Sequence, residues 1–312
     1  MQKLKAFYSC KYMIKPEQIA GIIPNTKEVY KTAFNIAWPS ALEAVLVQLI
    51  SSIDLIMVGG LGPIAIAAVG ITNQPKFILL ALILSLNIGV TAVIARRRGE
   101  EDQDGANRTL RQSILICGIL AFLLFLIGFC YARPLLIFAG AQSDVIDSSV
   151  VYLRIICIGN FFTSMSLTIN AAQRGVGNTK ISMRTNVAAN IVNLVFNYLL
   201  IEGHFGFPAL GVKGAALATL LGNFVAFVMS VKSVTFTHGF LYITRRESWK
   251  LDKNTVFSIF SISNSALVEQ IFMRVGFFMT TKLIASLGTV AFATHQICMN
   301  ILNISFAFGD GL

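Results

Sequence analysis

Apolar residues in this chain fall in long, nearly unbroken stretches instead of the short alternations that mark half-buried strands or amphipathic surface helices. Eight stretches can be drawn, over residues 33–58, 64–95, 109–131, 146–171, 183–202, 212–236, 255–284 and 290–312. Each reaches the roughly 20 residues that a helix needs to cross a hydrocarbon core about 30 Å thick. The longer ones imply tilt, or ends that stand clear of the lipid. Glycine, proline and charge separate them: Gly59-Gly60-Leu61-Gly62-Pro63 divides the first pair, and Arg96-Arg97-Arg98-Gly99 closes the second. The predicted fold class is an all-α integral membrane protein.

Composition agrees with the pattern. Hydrophobic residues make up 55% of the 312 positions and charged residues 13%, with a mean hydropathy of +0.71. A soluble domain carries about 25% charged residues, so lipid must cover much of this surface. The net charge of +10 raises nucleic acid as a partner, but the basic residues sit between apolar spans and form no polar domain, which excludes it.

Their distribution sets an orientation instead. Lys3, Lys5, Lys11, Lys15, Lys27 and Lys31 precede the first span; Arg96, Arg97, Arg98, Arg108 and Arg111 fill the second loop; Arg174, Lys180 and Arg184 the fourth; Lys232, Arg245, Arg246, Lys250 and Lys253 the sixth. The other side has Arg133, Lys213 and Lys282, while Lys76, Arg154 and Arg274 fall within spans. Positive loops stay cytoplasmic, so a multi-pass protein of the cell membrane with its N-terminus inside is expected. The first 25 residues show no apolar core with a cleavage site, and no removable signal peptide is expected. Cys10, Cys117, Cys130, Cys157 and Cys298 form no CxxC pair and read as small buried hydrophobes.

An internal repeat is visible. Leu61-Gly62-Pro63-Ile64-Ala65-Ile66-Ala67 recurs as Leu287-Gly288-Thr289-Val290-Ala291-Phe292-Ala293, and the same offset lays Glu43 over Glu269. Six spans separate the copies, an even number, so both enter the membrane from one side. That is a parallel repeat about an axis along the membrane normal, a plan of secondary transporters. The expected organisation is a cytoplasmic segment at 1–32, a complete six-helix lobe at 33–236, a cytoplasmic linker at 237–254 and two helices of a second lobe at 255–312, cut short after the eighth helix.

Polar groups inside the spans are the candidate chemistry, because ionisable residues in lipid are costly and mark a pathway or a partner. Asp54 lies about 22 Å beyond Pro39 along the first helix, and Pro39 removes a backbone hydrogen bond and is expected to bend that helix. In the fifth span Asn186, Asn190, Asn193 and Asn197 follow spacings of four, three and four and share one face. That face suits either a wet cavity or hydrogen bonds between helices. Thr219 and Asn223 in the sixth span can meet the same space. Carboxylate, amide and hydroxyl oxygens suit Na⁺, and a carboxylate alone can carry H⁺. Glu269, mid-span in the seventh helix, is a candidate second cation or proton site. Glu43 is either another such site or an interface group.

Other signals are bland. Gly175 to Lys180 lacks the full phosphate-loop pattern and reads as a cytoplasmic turn. His204, His238 and His295 are scattered, and the sequon Asn107-Arg108-Thr109 falls on the cytoplasmic side. No HExxH, GxSxG or paired-carboxylate pattern is present, so no enzyme and no cofactor is expected.

Several ordered motifs carry a family resemblance: Trp38-Pro39 with Asp54, Val58 to Gly62, Ala65 to Gly70, Gln173 to Thr179, Phe207 to Ala216, Glu269 to Gly276 and Leu287-Gly288 to Gln296. From about residue 30 onward the chain resembles the multidrug and toxic compound extrusion (MATE) transporters. The resemblance implies a twelve-helix antiporter plan, two six-helix lobes around a central cavity, exchanging H⁺ or Na⁺ for cationic or amphipathic compounds. It implies that Asp54, Asn193, Asn197 and Thr219 line the cation site of the first lobe; the helical spacing, not the resemblance, sets Asn186, Asn190 and Asn223 along the same cavity. Many relatives have aspartate where this chain has Asn197, which tilts the expectation towards H⁺. Glu269 matches an acidic position of some members. The expected partners are the lipid bilayer and a small-molecule substrate, with a monomer as the working state. Two alternatives stand beside this reading: a flippase for lipid-linked precursors, which requires a strongly cationic cavity, and a non-transporting membrane scaffold.

Overall fold

The computed structural model describes residues 25–236, 239–243 and 249–311. Among them are nine α-helices: α1 Thr26–Gly59, α2 Pro63–Gly99, α3 Gln103–Cys130, α4 Ala132–Ala139, α5 Ile146–Gly175, α6 Thr179–Leu200, α7 Val212–Thr235, α8 Lys253–Ala285 and α9 Thr289–Gly311. The eight expected spans are all helical. The addition is α4, an eight-residue helix closed by Gly140 in a left-handed conformation, too short to register against its apolar flanks. α1 starts seven residues before the expected span, where the Asn25 side chain accepts from the Lys27 amide and caps it, and it runs unbroken through Pro39.

Among the described residues six helices are long and apolar enough to cross a membrane: α1, α2, α3, α5, α7 and α8. α6 and α9 fall short of that measure because each spends a face on polar residues, the four asparagines on α6 and Gln296, Asn300 and Asn303 on α9. Both helices are sheltered by neighbours, α6 by α7 and α1, α9 by α1 and α2. The molecule is inside-out relative to a soluble domain. α3 exposes Ile119, Phe122, Leu123, Leu126 and Ile127, while Asn87, Thr168, Asn170, Asn193 and Asn197 are buried. Lipid-facing surface explains the first set and helix–helix hydrogen bonding the second.

Glycine turns place the helices. Gly62 and Gly288, equivalent in the sequence repeat, both adopt φ near +100° (99° and 106°), which only glycine takes without strain. Each is followed directly by a helix, α2 and α9. The packing carries the same symmetry. α1 lies on α9 and α2 on α8, while α1 touches α2, and α8 touches α9, far less. A two-fold axis that carries α1 onto α8 and α2 onto α9 converts the first contact into the second, as an isologous interface requires.

At one end of the bundle, residues 239–243 dock on α2 and α3. Gln103 Nε2 donates to the Phe240 carbonyl at 3.0 Å, the Tyr242 amide donates to Asn107 Oδ1 at 2.9 Å, and Arg98 sits 4.2 Å from the Phe240 ring centre. Asn107 is thus buried and bonded, which closes the sequon to glycosylation. Asp252 caps α8, and the Thr255 hydroxyl and amide that it accepts from, at 2.7 and 3.1 Å, hold its carboxyl below the ordinary pKa. Of the cysteines, Cys117 and Cys157 are buried as expected, but Cys130 and Cys298 are exposed on apolar faces, and Cys10 lies outside the described residues.

The tightest helix pair is α6 on α7, and small residues make it so. Gly214, Ala218 and Gly222 recur every four residues on α7 and are buried, the small-xxx-small pattern of close membrane helices. A Cβ added at Gly222 would come within 2.6 Å of the Ala189 carbonyl oxygen and 3.2 Å of Asn193 Cβ. We predict that Gly222→Val destabilises the protein by about 1–3 kcal/mol through overpacking, read as a lowered midpoint of thermal unfolding in detergent micelles. An unchanged midpoint would mean that α6 and α7 are not held at this distance.

Candidate functional site

Close packing of α6 on α7, with α1 beside them, brings the polar residues of three spans to one place. Asn197 Nδ2 donates to Asp54 Oδ1 at 2.8 Å. The Asn193 amide satisfies its surroundings in one orientation only. With its nitrogen towards Asp54 it donates at 2.8 and 3.0 Å to the two carboxylate oxygens, and its oxygen accepts from the Thr219 amide and hydroxyl at 3.1 and 3.2 Å. The reverse orientation keeps a 3.2 Å bond to Thr219 and a 3.3 Å bond from Asn197, but it sets an amide oxygen against a carboxylate. Acceptor facing acceptor is repulsive, so the first orientation is the one adopted. Asp54, Asn193, Asn197 and Thr219 therefore form one cluster, and the Asn197 oxygen is left buried with no partner among the described residues.

The cluster opens on a cavity of about 340 Å³, a volume suited to a small organic ligand. Asn190 and Asn223 line it with the cluster, and so do Ser51 of α1, Asn73 and Lys76 of α2, Tyr152 of α5, and Gln296, Asn300 and Asn303 of α9. Apolar wall comes from Leu55, Val58, Val69 and Met299. Asn300 also ties α9 to α1, its Oδ1 accepting from the Ser52 hydroxyl at 2.7 Å. Gly70 lets Gln296 approach α2, since a Cβ there would stand 2.7 Å from Gln296 Cγ.

One expected cavity residue lies elsewhere. Asn186 does not line the cavity: its Nδ2 donates instead to Glu43 Oε1, which also accepts from the Ser182 hydroxyl at 3.2 Å, and Arg174 Nη1 donates to that hydroxyl at 3.0 Å. The reason is register. Glu43 and Asp54 are eleven residues apart on α1, Asn186 and Asn197 eleven apart on α6, and both bonded pairs are separated by 143 residues in sequence. Eleven residues are three turns to within about 20°, so parallel helices meet twice along one seam. Glu43 is an anchor within this seam and not a group between lobes. Glu269, expected as a second cation or proton site, stands apart from this cluster. It projects from an exposed face of α8 and does not reach the cavity, because neighbouring turns of α8 pack on α2 through Ile259, Ser263 and Ala266.

The residues that the sequence reading passed over were legible in part. Gln296, Asn300 and Asn303 repeat the four–three spacing of the α6 row, so the rule that singled out α6 also marks α9. Ser51, Asn73 and Tyr152 gave no such signal. Among the described residues no three His, Cys, Asp or Glu side chains gather as a transition-metal site would require. His204 stacks on Tyr198 in the loop after α6, with ring centres 4.0 Å apart, and His238 lies outside the described residues.

We predict that Glu43→Ala, which strands the Asn186 and Ser182 donors, destabilises the protein by about 1–3 kcal/mol. Adding Asn186→Ala should restore part of that loss, a coupling that a double-mutant cycle on unfolding midpoints measures. Strictly additive effects would dissolve the clamp.

With the geometry in place, comparison with known proteins is direct. The MatE family model matches residues 39–199, about half of the chain. The "Probable multidrug resistance protein NorM" of Thermotoga maritima is 27% identical over 291 residues, which is 90% of this chain and 61% of that protein. Among solved structures, an outward-facing conformation of a multidrug resistance MATE family transporter of the MOP superfamily superposes with a TM-score of 0.79 at 23% identity, over 90% of this chain and 62% of that one. An inward-facing conformation gives 0.72 at 23% identity, over 86% and 64%. The fold is thus that of MATE transporters, and the chain spans about three-fifths of the length of the curated relative it matches.

Proposed function

The chain belongs to the MatE family, and on that premise we propose that it works as a secondary active antiporter, exporting small amphipathic organic compounds across a cell membrane in exchange for protons bound at Asp54. In this reading residues 33–236 form one six-helix lobe, 237–254 the inter-lobe linker and 255–312 part of a second lobe, with the N-terminus cytoplasmic. The observation that carries the proposal is the Asp54 cluster: one carboxylate held by amides at the wall of a polar cavity, within helices otherwise clothed for lipid.

The chemistry of the cluster favours a proton over Na⁺. An ionised Asp54 only accepts, and the two amide nitrogens suit it. Protonation turns one carboxylate oxygen into a donor, and an amide N–H then faces an O–H. Turning the Asn197 amide over relieves this, because its unpartnered oxygen becomes the acceptor. A Na⁺ ion needs several oxygens at once. Asn193 and Asn197 both present nitrogen to Asp54, so each would have to reverse. Protonation also removes the charge that holds α1 to α6 on the cavity side of Glu43, leaving the seam fastened at its other end. This is a local change that can bias α1 between two packings, and substrate and proton must prefer different packings for exchange to follow.

Two observations weigh against the alternatives. A flippase for lipid-linked precursors needs a strongly cationic cavity, whereas Asp54 and Lys76 are the one acid and one base on this lining. A scaffold has no need of a polar chamber of this kind.

We predict that Asp54→Asn abolishes gradient-driven dye efflux from proteoliposomes while membrane insertion is unchanged; efflux that persists at the parental rate would overturn the assignment. For the ion, an inward pH gradient should drive efflux and an inward Na⁺ gradient at uniform pH should not. Each pH unit, acid on the uptake side, can sustain about a tenfold substrate gradient per proton in an electroneutral exchange. Efflux driven by Na⁺ alone would reverse the choice of ion.

A further inference from the structure

We infer that Lys76 is a specificity-determining residue that holds an anionic group of the substrate, so that the cavity selects amphiphiles carrying both a cationic and an anionic group over simple monocations. The inference rests on the exporter reading of this cavity and names its substrate class.

The starting point is an imbalance in how the two charges of the lining are treated. Asp54 is held by hydrogen bonds from Asn197 and Asn193. Lys76 makes no hydrogen bond or ion pair among the described residues, and its ammonium rests 4.8 Å from the centre of the Phe77 ring. A second cation, Arg274 of α8, lies 4.9 Å from the same ring, and its own Nη2 reaches only the neutral Gln270 Oε1 at 3.3 Å. A ring face attracts cations weakly. It cannot replace a counter-ion for an ammonium withdrawn from bulk water, and a second cation beside it raises the local positive potential. Such a place is made complete by an anion that comes and goes.

Asp54 is not that anion. No ion pair joins it to Lys76, and the helix geometry says why. α1 and α2 are antiparallel across the short turn at Gly60–Gly62. Asp54 lies five residues before the end of α1, and Lys76 thirteen residues after the start of α2. The difference of eight residues, at 1.5 Å each, separates them by about 12 Å in depth. Between them the wall is neutral and polar, with Asn73, Asn190, Gln296 and Asn300. The cavity is therefore bipolar, with its acid nearer the α1–α2 turn and its base deeper. A ligand whose ammonium and carboxylate stand about a nanometre apart fits both ends, while a monocation satisfies one end and leaves the other uncompensated.

The test uses a matched dye pair, zwitterionic rhodamine 110 and its cationic methyl ester rhodamine 123, which share one ring system and differ at the carboxylate. Binding to the full chain in lipid nanodiscs is read by fluorescence polarisation. Lys76→Met should weaken binding of the zwitterion on the order of tenfold to a hundredfold, the range of a charge-assisted hydrogen bond, and should leave the ester unchanged or bound more tightly. Lys76→Arg should keep the preference for the zwitterion. Retained ester binding shows that the Met variant is folded. If Lys76→Met changes both dyes by the same factor, or neither, Lys76 does not read the anionic group and the inference fails while the exporter reading stands. If the parent chain binds neither dye, the exporter reading fails and takes the inference with it.

Discussion

A carboxylate placed among lipid-spanning helices has no water to pair with, and the bonds that replace that water organise this molecule. An acidic residue at the centre of a spanning helix costs about 2.5–3.5 kcal/mol on insertion, an upper bound for Asp54 near the end of α1, and each hydrogen bond to a charged group returns about 1.5–3 kcal/mol. The two amide donors therefore offset what it costs to withdraw the Asp54 carboxylate from water. The requirement reaches outward. The amides must come from α6, α6 must lie parallel to α1 and in register, and α7 must press close enough to fix the Asn193 amide through Thr219. Gly214, Ala218 and Gly222 permit that approach. The seam, the tight helix pair and the cavity wall are consequences of one electrostatic demand.

The same demand explains where the polar residues went. Helices that pass a simple hydropathy criterion make most of the lipid-facing surface, and the two that fail it, α6 and α9, supply much of the cavity lining. Their polarity is tolerable because other helices shelter them and because their amides find partners or face the chamber. Glu43 shows the alternative fate of a half-buried acid, its Oε1 accepting from Asn186 and Ser182 as a fixed point of the seam. Asp54 and Glu43 sit on one face of one helix with matching partners, yet only Asp54 borders open volume. Proximity to space, not residue type, separates the cavity carboxylate from the one locked in the helix seam.

The crossed packing of α1 on α9 and α2 on α8 bears on mechanism as well. The repeat places equivalent hairpins on either side of a two-fold axis, so the cavity lies where the two copies meet, walled on one side by α5, α6 and α7 and on the other by α9. A change at Asp54 alters the helix that also carries the contact with Asn300. The Asp54 cluster and the junction between repeats thus share one element, so under the proposed exchange a protonation at Asp54 has a route to a larger rearrangement.

Much of this was legible in the chain alone. Long apolar runs determine helices that cross lipid, because no other regular structure satisfies backbone groups there. The alternation of basic loops, the LGx[IV]AxA repeat and the spacing of the α6 asparagines are one-dimensional signals, since helix periodicity projects directly onto sequence. Tertiary structure alone decided which amide meets which acid. Asn186 and Asn197 look alike in sequence, and only the register of α6 against α1 sends one to Glu43 and the other to Asp54. By sequence Glu269 is the candidate site and Lys76 only a basic residue within a span, but rotation about the helix axis turns the first to an exposed face and the second into the cavity. Spacing says which side chains share a face, and packing alone says what that face looks upon.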